Sequence, residues 1–207
     1  VGSLSCSGAM YWGVPIVVPA GFYECVTARD RLHTLRATSA DFSDDGQNFS
    51  ASFVGDIRFG GHGLTGGNLN DDEFIDIVDF AVYNSNIGIS FPDTPCAVQP
   101  PHADINADGI VNAFDFTFIQ QNFLRSHQPN CCGQPNAADE GDGPLTEITV
   151  EELRARGLGH LVGADLNHDG VVDVADMAAM FDPPPSSRKR IRDGRRLGTD
   201  KPERDRR

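Results

Sequence analysis

Three stretches of the chain set carboxylate and amide side chains two residues apart: "GNLNDDEFIDIVDFAVY", "ADINADGIVNAFDFTFI" and "ADLNHDGVVDVADMAAM". Carboxylates crowded this closely repel one another and add little to an apolar core, so they require open water or a cation. The regular spacing favours a cation held by oxygen atoms. The acidic loops begin at Asn68, Asp104 and Asp165, that is 36 and then 61 residues apart, which describes a repeated module and not a regular solenoid.

Calcium takes about 6 to 8 oxygen ligands, and a twelve-residue EF-hand loop supplies them from positions 1, 3, 5, 7 (a backbone carbonyl), 9 and 12. The second loop places Asp104, Asn106, Asp108, the Ile110 carbonyl, Asn112 and Asp115 at these positions, with Gly109 at the sixth, where the chain turns. The third places Asp165, Asn167, Asp169, the Val171 carbonyl, Asp173 and Asp176, with Gly170 at the turn. The first offers Asn68, Asn70, Asp72, the Phe74 carbonyl, Asp76 and Asp79, but has Glu73 in place of glycine. Three, three and four aspartates respectively make the third loop the expected tightest Ca²⁺ site, and neutral Asn68 with Glu73 makes the first the weakest. Asp at the twelfth position is one methylene shorter than the usual Glu, so a bidentate grip needs the following helix closer to the ion; this lowers affinity or admits Mg²⁺. Asp71 and His168, at the fourth position, are expected to face solvent.

The elements that position these loops follow from apolar periodicity. Ile75, Val111 and Val172 occupy the eighth position, where a backbone bridge to a partner loop is expected. A helix should follow each loop, with Phe80, Tyr83 and Ile87 on one face of the first and Phe116, Ile119 and Phe123 on one face of the second, the two faces packing together. Met177, Met180 and Phe181 begin the same face in the third, which Pro183, Pro184 and Pro185 stop. Ahead of the third loop, "TEITVEELRARG" predicts a helix capped by Thr149 and Glu152. Upstream, "YWGVPIVVPAGFYECVTA" and "NFSASFVGDIRF" read as strands around a turn at "SDDGQN". Asn48-Phe49-Ser50 is a sequon in form, read as an ordinary strand position. The expected architecture is α+β. It comprises a partial β-sandwich over 1–60, a pair of loop–helix repeats over 61–128, a linker over 129–147, a third EF-hand-like repeat over 148–182 and a disordered basic tail over 183–207.

The net charge of -13 is unevenly spread: residues 188–207 hold 10 of 17 Lys+Arg and 4 of 30 Asp+Glu, so residues 1–187 keep seven basic against 26 acidic residues, a balance of -19. Such a body repels nucleic acid and suits metal cations. No apolar run nears the roughly 18 residues that span a bilayer. A start at Val1 without a leader fits either removal of a signal or the C-terminal part of something larger, and the fragment is favoured. Cys6, Cys25, Cys96, Cys131 and Cys132 fit no zinc spacing; disulfides are expected, Cys6 with Cys25 and Cys96 with Cys131 or Cys132, with unpaired thiols the alternative.

At its three loops the sequence resembles the type I dockerin repeat, a calcium loop followed by a single helix, over roughly residues 66–125 and 163–182. The resemblance implies a non-catalytic, calcium-binding module of a secreted or cell-surface bacterial protein, attached to polysaccharide-degrading enzymes and docking onto a cohesin-like or other surface protein. Dockerins that bind cohesin often use polar residues at loop positions 10 and 11; here these are Ile77 and Val78, Ala113 and Phe114, and Val174 and Ala175. The third copy lies too far along the chain for a usual pair and is expected to stand apart from the first two.

Two other readings remain. The alternative is the C-terminal part of a glycoside hydrolase whose catalytic domain is absent, with Glu24, Asp30 and Asp56 as candidate carboxylates, although carboxylates on a strand are usually surface residues and no Gly-x-Ser-x-Gly motif occurs. The basic tail could instead contact anionic membranes or polymers, although Asp193, Asp200, Glu203 and Asp205 within it favour a solvated end.

Overall fold

Positions 9 and 12 of each loop start a helix. Asp76 caps α1 (Ile77–Asn86) by accepting the Val78 N–H at 2.8 Å, while Asp79 reaches back to accept the Asp76 N–H at 2.7 Å. This is a capping box, two otherwise orphaned donors satisfied reciprocally. Asn112 and Asp115 do the same for α2 (Ala113–Asn122), Thr149 and Glu152 for α3 (Val150–Ala155), and Asp173 and Asp176 for α4 (Val174–Ala179). The computed structural model describes residues 17–23, 26–29, 34–91, 103–128 and 143–181. All five cysteines, Glu24, Asp30, the three prolines after α4 and the basic tail lie outside the described residues.

The architecture is α+β, with short strands. Among the described residues, β1 (Thr27–Ala28) pairs with β3 (Ala37–Thr38), β2 (Thr34–Leu35) with β6 (Thr65–Gly66) and β4 (Phe42–Asp44) with β5 (Phe49–Ala51), all antiparallel. The β4–β5 hairpin turns at Asp45–Asn48, as the "SDDGQN" signal implies, and the sequon falls within it. Of the sandwich expected over 1–60, the described residues show two-stranded ladders, and residues 11–16 and 24–25 of "YWGVPIVVPAGFYECVTA" lie outside them. Strands of two or three residues bury little, and among the described residues of this segment Leu35 and Ala37 join the buried hydrophobic set. Strand β6, the partner of β2, runs close to the second repeat: a Cβ at Gly66 would lie 3.1 Å from the Ile105 side chain and 3.3 Å from that of Phe118, so a larger residue would have to push both aside by a few tenths of an ångström.

The core runs through all three repeats. Phe80, Tyr83, Phe116 and Ile119 are fully buried, and the Phe80 and Phe116 rings meet edge-on at 6.0 Å, so the two helix faces do pack together. Ile87, expected on that face, is exposed because α1 has ended before it. The third repeat does not stand apart. Leu153, Leu161, Ala164 and Val172 belong to the same core, and the 3₁₀ turn Gly159–Ala164 packs along α1. Residues Ile77 to Tyr83 of α1 are consequently buried on every side, whereas α2 buries only Asp115, Phe116 and Ile119.

The eighth-position bridges have an unexpected partner. Ile75 lies in β7 (Phe74–Ile75), which pairs with β8 (Arg125–Ser126), the chain leaving α2. Reciprocally, Val111 donates to Ile89 and accepts from Gly88, in the chain leaving α1. Loop one is thus stitched to the exit of repeat two and loop two to the exit of repeat one, with every partner offset by 36 residues. In the third repeat Val171–Val172 (β10) pairs with Ile148–Thr149 (β9), ahead of α3. Among the described residues no loop bridges another loop, because the exiting segments in the first two repeats, and β9 in the third, occupy the eighth-position backbone.

Candidate metal centre

Each loop is wound by its own side chains. Asn70 Oδ1 accepts the Asp72 N–H and Asp72 Oδ1 the Phe74 N–H, at 3.1 and 2.8 Å. Asn106 and Asp108 repeat this at 2.9 and 3.0 Å, and Asn167 and Asp169 both at 2.9 Å. These successive Asx turns fix positions 3 to 7. At the twelfth position Asp79 accepts the Leu69 and Asn70 amides on Oδ1, Asp115 those of Ile105 and Asn106, and Asp176 those of Leu166 and Asn167. The other oxygen takes the ninth residue's N–H. Three of about four acceptor positions are therefore engaged, leaving one on Oδ2 where the spacing alone suggested a bidentate grip.

The turn also uses the fourth position. Asp71, Ala107 and His168 have φ of 63°, 58° and 63°, alongside Gly109 and Gly170 at 95° and 92°. The left-handed region costs an ordinary residue roughly 1 kcal/mol, and Asn or Asp tolerates it best. Both Asp71 and His168 are exposed as expected, but Asp71 is ion-paired with Arg29.

The first loop departs from the others at Asn68. Asp104 accepts the Asp108 and Gly109 amides at 3.1 and 3.0 Å, and Asp165 accepts those of Asp169 and Gly170 at 3.2 and 3.1 Å. Asn68 has one oxygen, and its amide instead donates Nδ2–H to the Asp72 carbonyl at 2.6 Å. Its Oδ1 is buried without a hydrogen-bond partner, in a residue 1% exposed. An orphaned acceptor inside an acidic loop is the atom a cation would satisfy.

Burial pushes the Asp79 carboxyl well above the ordinary carboxylate range, against the Asp76 and Leu69 amides that pull it down. Asp72 and Asp76 are raised by the same cause, as is Asp115 in the second loop. Among the described residues, no three His, Cys, Asp or Glu side chains converge as a ready metal group. The carboxylate oxygens are turned to backbone amides, and the remaining donors in each loop are Asn oxygens and a carbonyl. Oxygen-only sets of this kind suit a hard cation such as Ca²⁺ and not a soft one.

Positions 10 and 11 differ sharply between repeats. Ile77 and Val78 are 0% and 5% exposed under the third repeat, while Phe114 and Val174 are 70% and 55% exposed. Of the strand carboxylates considered for catalysis, Asp56 is exposed, caps a 3₁₀ turn and is drawn to about 2 by hydrogen bonds from Arg58. That is a structural role.

Sequence spacing missed one contact in the first loop. Asp76 Oδ2 accepts the Leu145 N–H at 2.9 Å, and Ile77 donates to the Leu145 carbonyl at 3.2 Å. No spacing signal links positions 69 residues apart.

No curated protein and no solved structure matches the chain. The family model described as the dockerin type I domain matches residues 67–124, from the residue before the first loop to the residue after Phe123, and leaves the third loop outside. The two loop–helix units joined by reciprocal bridges are thus the segment of this chain that matches the dockerin type I domain.

Proposed function

We propose that the chain is a calcium-binding, non-catalytic docking module of an extracellular or cell-surface protein, with a cohesin-like or other surface protein as its partner. The observation that carries this reading is the Asx-turn network wound three times, each time ending in a capped helix, the first two within residues 67–124, the segment that matches the dockerin type I domain model. In the first loop Asn68, Asn70, Asp72, Asp76, Asp79 and the Phe74 carbonyl would hold the ion. In the second Asp104, Asn106, Asp108, Asn112, Asp115 and the Ile110 carbonyl would do so, and in the third Asp165, Asn167, Asp169, Asp173, Asp176 and the Val171 carbonyl. Bound Ca²⁺ supplies the positive charge that buried Asp79, Asp104, Asp115 and Asp176 otherwise lack, so binding energy becomes folding energy.

Calorimetric titration of the metal-free chain with Ca²⁺, followed by circular dichroism, tests the metal reading: two or three binding events with a gain in helix are expected, and no uptake at millimolar calcium would sink it. Docking is tested by binding to an immobilised cohesin domain in calcium and in chelator. Calcium-dependent retention supports a cohesin partner, and no retention removes cohesin from the reading.

A further inference from the structure

Asp76 is the only ninth-position side chain, among the described residues, hydrogen-bonded to an element outside its own repeat. Both of its oxygens are engaged, Oδ1 by the Val78 amide at 2.8 Å and Oδ2 by the Leu145 amide at 2.9 Å, and the residue is 2% exposed. By contrast Asn112 bonds to Phe114 and Ile110, and Asp173 to Ala175. Leu145 returns a second bond through its carbonyl to Ile77, and Asn84 adds a third contact by donating to the Gly163 carbonyl at 3.1 Å. Leu145 and the 3₁₀ turn Gly159–Ala164 thereby lie against α1, whose buried Ile77, Val78 and Ala81 correspond to exposed Ala113 and Phe114 and half-buried Thr117 on α2.

We propose that residues 143–164 form a cap whose closure on α1 is coupled to cation binding in the first loop through Asp76. The proposal rests on the calcium reading above. Closure takes the Asp76 carboxylate out of water, and a buried charge is costly unless offset. Asn68 Oδ1, buried and unpartnered in the same loop, shows that loop one lacks a group that a cation would provide. Each Asp76 oxygen accepts one N–H and keeps a second acceptor position, so the ion and the Leu145 amide can share the side chain. The coupling is therefore positive. A cation relieves the desolvation that closure imposes, and by linkage closure tightens the first loop by the same factor.

Hydrogen exchange on the full chain, in Ca²⁺ and in chelator, tests the coupling. In Ca²⁺, Asn68→Ala is expected to speed exchange at the Leu145 amide and across residues 161–164 by about tenfold, within the usual range of coupling between sites. Asp104→Ala, which empties the second loop, should leave those amides protected. Leu145→Pro removes the donor to Asp76 without touching a loop residue, and is expected to weaken one of the calorimetric Ca²⁺ events about tenfold while sparing the others. Protection of residues 145 and 161–164 that ignores Asn68→Ala, or an unchanged set of Ca²⁺ affinities in Leu145→Pro, would overturn the coupling. Three normal uptake events with an insensitive cap would sink the coupling alone; no uptake by the unmodified chain would sink the calcium reading with it.

Discussion

Leu124 donates its amide to the Ile75 carbonyl at 2.7 Å with its own backbone in the left-handed region, φ 63°. Its counterpart 36 residues earlier is Gly88, φ 81°, which donates to Val111 at 2.9 Å. The two positions do the same work, since each turns the chain out of a helix and starts the bridge to the other repeat's loop. Only Gly88 does so without a Cβ penalty. Leu124→Gly is expected to stabilise the domain by about 0.5 to 1 kcal/mol, since Leu124 is 42% exposed and little packing is lost. Gly88→Leu should destabilise it by about 1 kcal/mol or more. Thermal unfolding of both variants in saturating Ca²⁺ checks the pair, and a loss of stability in Leu124→Gly would show that packing outweighs the backbone term.

Tyr83 carries a prediction about the helix interface. Its ring lies 5.4 Å from Phe116, and its hydroxyl donates to the Asn112 carbonyl at 3.0 Å. Burial, with the Asp115 charge nearby, pushes the phenol up to about 12. Tyr83→Phe keeps the ring and leaves the Asn112 carbonyl without this donor, a loss of about 1 kcal/mol. Ultraviolet titration should show one tyrosine ionising at about 12 that disappears in the variant; a titration unchanged by the substitution would place that phenol elsewhere.

The loops and their helices were legible because ligand spacing and helix capping use the same residues. Asp76 and Asp79, or Asn112 and Asp115, must stand three apart for the capping box as well as for the metal register, so one pattern announces two structures. The α3 cap at Thr149 and Glu152 was readable for the same local reason. What stayed hidden depends on distant chain. The Ile75 to Leu124 and Val111 to Gly88 bridges exchange partners between repeats, and nothing in either segment's periodicity names the other. The closure of Leu145 on Asp76 is equally invisible, because apolar Phe114 at the position equivalent to Val78 is 70% exposed, so apolar character at this face does not reveal which helix is covered. Among the described residues of 1–60, Gly, Pro and Asp breaks divide the β-branched and aromatic stretches into pairs of two- and three-residue strands.

Acid should stabilise the metal-free loops. Asp72, Asp76, Asp79 and Asp115 have folded pKa values raised above the ordinary 3.8 by burial, so the folded chain holds their protons more tightly than the unfolded one. Their contribution is full below the unfolded value and is lost as pH rises through the raised folded values. His127 works against this trend. Its Nδ1 accepts the Arg36 N–H at 2.9 Å, and burial with the Arg36 and Arg29 charges lowers it from 6.5 to about 4, so its contribution is lost as pH falls through that window. In chelator, the His127→Gln variant should therefore gain stability on acidification from neutral pH into the range of the raised carboxyls. Saturating Ca²⁺, which needs ionised carboxylates, should reverse the slope. Denaturant unfolding at a series of pH values measures both, and a slope of the same sign with and without calcium would refute the assignment.

The first loop differs from the other two at the side chain of Asn68. Asp104 and Asp165 each use two oxygens to accept the amides of loop positions 5 and 6, whereas Asn68 offers one oxygen, spends its Nδ2–H on the Asp72 carbonyl and leaves Oδ1 unpartnered. Asn68→Asp replaces that donor with a second acceptor and adds a negative charge to a loop with three. Without metal the change deepens the repulsion among Asp72, Asp76 and buried Asp79, so the variant should be less stable in chelator by about 1 kcal/mol or more. With Ca²⁺ the added ionised ligand should tighten the first site by about tenfold, in line with the dependence of such sites on ligand charge. The two effects have opposite signs and a single cause, so unfolding in chelator and calorimetry in Ca²⁺ must move together. A variant destabilised in chelator but no tighter for calcium would mean that the first loop holds its shape through hydrogen bonds alone and takes no ion.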